Sequence, residues 1–138
     1  MTGYLLDTNV LSDGRKPSPD QGVRAWLGRV HPDDLRVSVV TIAEIRRGVS
    51  RLRRRRDHRQ ANLVEEWLAT TRHEFADRLV PVSADIADAW GHLDAGRATL
   101  TSDGLIAATA QVHGWTVVTR NVEHFEPTAV QVLNPFTG

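Results

Sequence analysis

Thr101-Ser102-Asp103-Gly104-Leu105-Ile106-Ala107-Ala108-Thr109-Ala110-Gln111-Val112-His113-Gly114-Trp115-Thr116-Val117-Val118-Thr119 reads as a helix delivered straight into a strand. Thr101 or Ser102 supplies the N-cap hydroxyl. Leu105, Ile106, Ala108 and Val112 carry the apolar spacing, and Gly114 stands where a left-handed residue ends a helix. The β-branched run Thr116–Thr119 then favours extended backbone. The same alternation continues on both sides. Downstream lies one more short run, Val130–Leu133. Upstream, Ser83 caps a helix holding Ile86, Ala87, Trp90 and Leu93, after a strand over Leu79–Val82 whose Pro81 suits an edge. Leu63, Val64, Trp67 and Leu68 seed another helix. Leu35–Val40 reads as a strand, followed by a helix from Thr41 with the seam Ile45, Val49 and Leu52. Val23, Trp26, Leu27 and Val30 share one helical face. Tyr4-Leu5-Leu6 is a short buried-type run, and Asp13–Pro19 reads as a loop. Strands separated by helices predict an α/β fold: a three-layer α/β/α sandwich around a parallel sheet.

The 138 residues fit one domain, 1–138, of ordinary size. There are no cysteines, which excludes disulfides, thiolate metal sites and a cysteine nucleophile. No apolar run is long enough to span a membrane. The N-terminal stretch lacks the basic flank and apolar core of a signal peptide, so a cytoplasmic location is expected. Net charge is zero, but it is unevenly spread. From Glu44 to Gln60, eight Arg against Glu44 and Asp57 give +6, leaving −6 on the rest. A basic strip on an acidic remainder points to an anionic partner.

Three acids fall at equivalent points of the pattern. Asp7 follows the first strand, Glu44 lies early in the helix after Val40, and Asp103 lies in the first turn before Leu105. Asn121 follows the strand ending at Thr119. In open α/β sheets, ligands bind at the carboxyl ends of the strands, where these residues are expected to meet. Two carboxylates about 5 Å apart repel by about 0.8 kcal/mol in water and about 3 kcal/mol at an effective dielectric of 20. A hard divalent cation relieves that repulsion, and an all-oxygen donor set suits Mg²⁺ or Mn²⁺. Such an ion activates water and polarises phosphoryl oxygens, which points to a phosphodiester substrate. Each acid also has a structural reading. Thr41 and Glu44 fit a capping box, Asp103 a helix dipole, and Asp7-Thr8-Asn9 an Asx turn or cap.

Four segments resemble one family. Leu5-Leu6-Asp7-Thr8-Asn9-Val10-Leu11-Ser12, with Arg15-Lys16-Pro17, is similar to the opening of PIN-domain proteins, notably VapC-type toxins of bacterial toxin–antitoxin pairs. Val39-Val40-Thr41-Ile42-Ala43-Glu44-Ile45-Arg46-Arg47-Gly48 resembles the second motif, and Asp103-Gly104-Leu105-Ile106-Ala107-Ala108-Thr109-Ala110 the third. Val118-Thr119-Arg120-Asn121-Val122-Glu123-His124-Phe125, with Asn134-Pro135-Phe136, resembles the last. The resemblance implies a PIN-like sandwich and Mg²⁺- or Mn²⁺-dependent cleavage of RNA. It implies Asp7, Glu44 and Asp103 as metal-binding acids, with Thr8, Asn9 and Thr119 as polar support. It also implies a cognate antitoxin and a homodimer as partners. Many family members carry a further acid in the last motif, where this chain has Asn121. A catalytically weak PIN-fold module that binds RNA or a partner is therefore the alternative. A haloacid-dehalogenase-type phosphatase also begins with a strand and an Asp, but it wants a second Asp where Asn9 stands.

On one continuous helix, Arg47, Arg51, Arg54 and His58 share a face that leads away from Glu44. That stripe suits an RNA backbone or an acidic antitoxin segment. Trp26, Trp67, Trp90 and Trp115 read as core residues, with Trp67 and Leu68 as alternative dimer contacts. Glu123 reads as a solvated loop residue and His124 as a surface or helix-start residue. Asp85, Asp88 and Asp94 are helix acids without a site role, and His31, His73, His92 and His113 show no metal spacing.

Overall fold

The computed structural model describes residues 3–137. Five strands form one parallel sheet in the order β3-β2-β1-β4-β5. They are β1 (Tyr4–Leu6), β2 (Leu35–Ser38), β3 (Leu79–Val80), β4 (Thr116–Val118) and β5 (Val132–Leu133). The helices are α1 (Thr8–Gly14), α2 (Gln21–Arg29), α3 (Val39–Arg54), α4 (His58–Glu74), α5 (Ala84–Leu93) and α6 (Ser102–His113). Pro81 lies just beyond β3, which takes an edge of the sheet as a proline neighbour should.

Alternation along the strands sorts the core into two layers. Leu6, Val37 and Val118 pack with Val10 of α1, Val23 and Trp26 of α2, and Phe75 just after α4. Leu5, Val80 and Val117 pack on the other side against Ile106, Ala107 and Ala110 of α6, with Phe125. Ile86 of α5 then covers Leu105 and Ala108 of α6. Both faces of the central strand are buried, with Leu5 at 0% and Leu6 at 2% exposure. Fully burying a side chain of this size contributes about 1.5–3 kcal/mol. The run of small residues in α6 lets that helix lie close against the sheet.

The strand order reverses beside β1. The chain moves from β1 outward through β2 to β3, then returns to add β4 and β5 on the opposite side. The carboxyl ends of β1 and β4 are therefore neighbours, in register from Tyr4↔Thr116 to Leu6↔Val118. Such a reversal opens a crevice at the carboxyl edge.

Several local expectations change. The second strand stops at Ser38, not Val40, and Ser38 caps α3 by accepting from the Val40 amide at 3.1 Å. Thr41 is not the cap; it lies buried inside the first turns. Glu44 accordingly sits in the second turn of α3, outside a capping box. The basic stretch is not one helix either. It breaks at Arg55–Asp57, where Arg56 adopts a left-handed φ of 61°. His58 begins α4 and leaves the stripe of Arg47, Arg51 and Arg54. Leu68 is in the core at 2% exposure, which removes it as a dimer contact. Trp26 is buried, whereas Trp67, Trp90 and Trp115 are only half-buried. Asp7 is a true N-cap, and the following Thr8–Gly14 is helix, which shortens the expected loop.

Candidate active site

Asp7 ends β1 and starts α1, so one residue turns the chain and presents its carboxylate at the crevice. It is buried, at 7% exposure. One oxygen accepts from the Thr8 amide at 2.9 Å. The other accepts from the Thr119 hydroxyl at 2.8 Å and the Asn9 amide group at 3.4 Å. Asn9 also reaches Thr119 Oγ1 at 3.2 Å and accepts from the Arg120 amide at 3.1 Å. The Asn121 amide donates to Thr119 Oγ1 at 3.0 Å. The ends of β1 and β4 are thus laced together by side chains that fix the Asp7 rotamer.

Glu44 projects from α3 toward the same place. Its Oε1 lies 3.4 Å from the donating Thr8 hydroxyl. Asp103 stands in the first turn of α6, which Thr101 caps through the Gly104 amide at 2.9 Å. The three acids feel one another. Burial raises the Asp7 pKa most, and the charge of Asp103 adds to the rise. Burial likewise raises Glu44, reinforced by Asp7 and then Asp103, while the nearby Arg47 cation opposes it. Like charges brought together in a low-dielectric crevice disfavour ionisation.

Asp7, Glu44 and Asp103 are thus gathered at one edge, with Thr8, Asn9 and Thr119 among them. Asn121 reaches the cluster by its backbone amide rather than by its side chain. Among the described residues, no three His, Asp or Glu groups converge closely enough to make a ready-built cage. The donor set still fits a hard cation. Mg²⁺ keeps several waters and takes one or two protein carboxylates, so a loose trio of oxygens at a crevice suffices. The mutual repulsion of the trio is the unbalanced charge that such an ion offsets.

Two residues without an assigned site role support this cluster, one by contact with Asp103 and one by holding the helix that carries it. His124, half-exposed on a short 3₁₀ turn at Val122–His124, places Nδ1 3.2 Å from Asp103 Oδ2. Its place three residues after Asn121 was the available signal. Asp94, just after α5, is buried and holds the start of α6. Its Oδ2 accepts from the Thr101 amide at 2.7 Å, the Thr101 hydroxyl at 3.0 Å and the Trp90 indole at 3.1 Å. A Cβ at position 104 would collide with that carboxylate, so only glycine follows Asp103 comfortably.

A PIN domain model matches residues 4–129. The chain belongs to the PIN-domain family. It is 35% identical to Toxin FitB of Neisseria gonorrhoeae, with 96% of this chain and 97% of that protein covered. It is 34% identical to VapC ribonuclease Y4jK of Sinorhizobium fredii, with 96% of each covered. The crystal structure of FitAcB from Neisseria gonorrhoeae superposes with a TM-score of 0.80 at 35% identity, covering 96% of this chain and 97% of that one. The expected sandwich is therefore the PIN fold.

Removing the Thr119 hydroxyl tests the lacing directly. Thr119→Val keeps the side-chain volume but leaves Asp7 Oδ2 and the Asn121 amide short of a partner. Outer-shell partners of metal ligands are worth about 10–100-fold in metal affinity or activity. Mn²⁺ titration of the purified variant is expected to show weakening in that range.

Proposed function

We propose that this PIN domain, spanning residues 1–138, is the toxin ribonuclease of a toxin–antitoxin pair and an Mg²⁺- or Mn²⁺-dependent endoribonuclease. The observation that carries the reading is the gathering of Asp7, Glu44 and Asp103 at the strand-order reversal, where burial first and the neighbouring carboxylates second raise the pKa of both Asp7 and Glu44. These three would hold the ion, and Thr8, Asn9 and Thr119 would keep their carboxylates aimed. When bound there, a divalent ion supplies Lewis-acid polarisation of a phosphoryl oxygen and an activated water. The chain's own part is positional. Asp7 is fixed by three donors, Glu44 is steadied by Thr8, and Asp103 is carried on a capped helix. Asn121, exposed at the mouth, offers an amide oxygen or a hydrogen bond to water at the place where many relatives have an acid.

Arg47, Arg51 and Arg54 extend the reading to substrate. They share the face of α3 that carries Glu44, and Arg47 is close enough to Glu44 for its cation to oppose the burial-driven rise of that pKa. At about 1.5 Å per residue the stripe runs about 15 Å from the acids. Arg46 and Arg53 do not belong to it, because both are paired to Glu65 at 2.5 Å and 2.6 Å. RNA phosphates would track the three remaining arginines. The triple change to Gln is expected to weaken RNA binding uniformly across sequences and to reduce the salt slope by about 1 per arginine, about 3 in all. Fluorescence anisotropy over a salt series reads both quantities, and Arg53→Gln should change neither.

An antitoxin takes a different surface in this reading. An apolar cavity of about 280 Å³ lies between α1, α2 and α4, lined by Leu6, Val10, Leu27, Trp67 and Phe75. Arg15 stacks over Trp67 at its rim, 4.7 Å from the ring centroid. A partner's apolar side chain would fill it, and a second copy of the chain would complete the assembly elsewhere. Among the described residues, no helix is long and apolar enough to cross a membrane. The proposed toxin role, with RNA as substrate, places the chain in the cytoplasm.

The test is cleavage of RNA by the purified chain with Mn²⁺, with EDTA, and with the Asp7→Asn variant beside it. Mn²⁺-dependent cleavage that the substitution cuts by at least about 10²–10³-fold is expected. RNA binding without cleavage under any metal would favour the binding-module alternative that Asn121 suggests.

A further inference from the structure

A cavity of about 330 Å³ opens beside Asp103. Leu93, Gly96 and Pro127 form apolar walls, and Arg97, His124 and Thr128 contribute polar groups. Asp94 and Asp103 close the inner side. The space is within the size range of small-ligand sites. It shares Asp103 with the acid cluster, so the two are adjacent.

The lining chemistry selects among the parts of a nucleotide. Two carboxylates against one guanidinium do not favour a second phosphate. The donors and acceptors are instead mixed, as the edge of a nucleobase requires. The Arg97 guanidinium is half-exposed and held at the rim, 3.5 Å from Asp94 Oδ1. That oxygen carries none of the three hydrogen bonds that occupy Oδ2. The His124 ring, also in the lining, is half-exposed and lies 3.2 Å from Asp103 Oδ2. Imidazole and guanidinium planes are both surfaces on which unstacked RNA bases lie, and their edges are then read by hydrogen bonds.

We infer that this cavity is a base subsite: it receives the unstacked nucleobase next to the scissile phosphate, held against Arg97 and His124, and sets which RNA sequence is cut. The inference rests on the ribonuclease reading above and adds a specificity pocket to it. The subsite test has two arms, and one does not need catalysis. In the first, adenosine, guanosine, cytidine and uridine are titrated into the ¹⁵N-labelled protein, with inorganic phosphate as a separate probe. One nucleoside is expected to shift the amides of Gly96, Arg97, Gly104 and Thr128 more than the others do. Arg97→Gln should reduce that shift severalfold while Asp94 keeps its grip on Thr101. In the second arm, fragment-end sequencing compares the cut sites of wild type and Arg97→Gln, with His124→Gln beside it. The expected result is a preferred base next to the cut that fades in both variants. Equal shifts from all four nucleosides, a response to phosphate alone, or an unchanged cut-site preference would overturn the subsite. Nucleoside shifts at the cavity in a protein that cuts no RNA would keep the subsite and overturn the ribonuclease reading instead.

Discussion

Replacing Asp7 with Asn is expected to cut RNA cleavage by at least about 10²–10³-fold while raising the melting temperature of the metal-free protein. Asparagine keeps the shape: its oxygen still accepts from the Thr8 amide, and its amino group, in the place of Oδ2, donates to Thr119 Oγ1, so the lacing of β1 to β4 survives except for the Asn9 contact. The charge is what is lost. Lewis-acid stabilisation at a bound ion is worth several kcal/mol, and each 1.36 kcal/mol is a factor of ten in rate. A loss of about 10²–10³-fold follows. The stability effect has the opposite sign. Burial raises the Asp7 pKa above its ordinary 3.8 in the folded chain. Between the unfolded and folded values the native state keeps a proton that the unfolded chain has released. Stability therefore falls as pH rises through that window, and at neutral pH the ionised carboxylate works against folding. The Asp7→Asn variant carries no such penalty. Thermal melts without metal should place the variant above wild type at pH 7, with the gap closing toward pH 4. Glu44, raised for the same reasons, should contribute in the same direction.

Asp94→Ala is the second large effect, and it is one of stability. The substitution strands the Thr101 amide, the Thr101 hydroxyl and part of the Trp90 indole's bonding, and it opens a void beneath Gly104. Leaving a buried donor unsatisfied costs about 1–3 kcal/mol. Three affected donors, one of which keeps its Thr101 carbonyl partner at 2.9 Å, bring the loss to about 3–5 kcal/mol. Urea denaturation measures it. Because Thr101 caps the helix that carries Asp103, the surviving folded fraction should also bind Mn²⁺ more weakly. Asp94→Asn retains an acceptor and should recover most of the stability.

The architecture was legible because it is written in local signals. Runs such as Tyr4–Leu6 and Thr116–Val118 are too short and too apolar for helices, and Gly114 marks its helix end plainly. A parallel sheet then places Asp7 and Thr119 side by side without further information. What escaped was set by tertiary context. Ser38 and Thr41 are equally good caps by type, and the burial of Thr41 against the core decides between them. Arginine is a good helix former, so Asp57, which caps α4 by accepting from the Gln60 amide at 3.3 Å, is the one sign of a break between Arg53 and His58. The left-handed Arg56 is imposed by α4 folding back on α3, where Glu65 binds both Arg46 and Arg53. Asp94 read as another helix acid because its partners lie four to seven residues away, across a turn. His124 read as surface because Asp103 is distant in sequence. The pair Asp103-Gly104 gains its reason only when the Asp94 carboxylate is seen beneath it.

Three carboxylates from separate parts of the chain are held to share one divalent ion. Mn²⁺ titration followed by electron paramagnetic resonance, on wild type and on Asp7→Asn, Glu44→Gln and Asp103→Asn, addresses this most directly. One firm Mn²⁺ site is expected in wild type, weakened at least about tenfold in each variant. Undiminished Mn²⁺ binding in all three variants would contradict it.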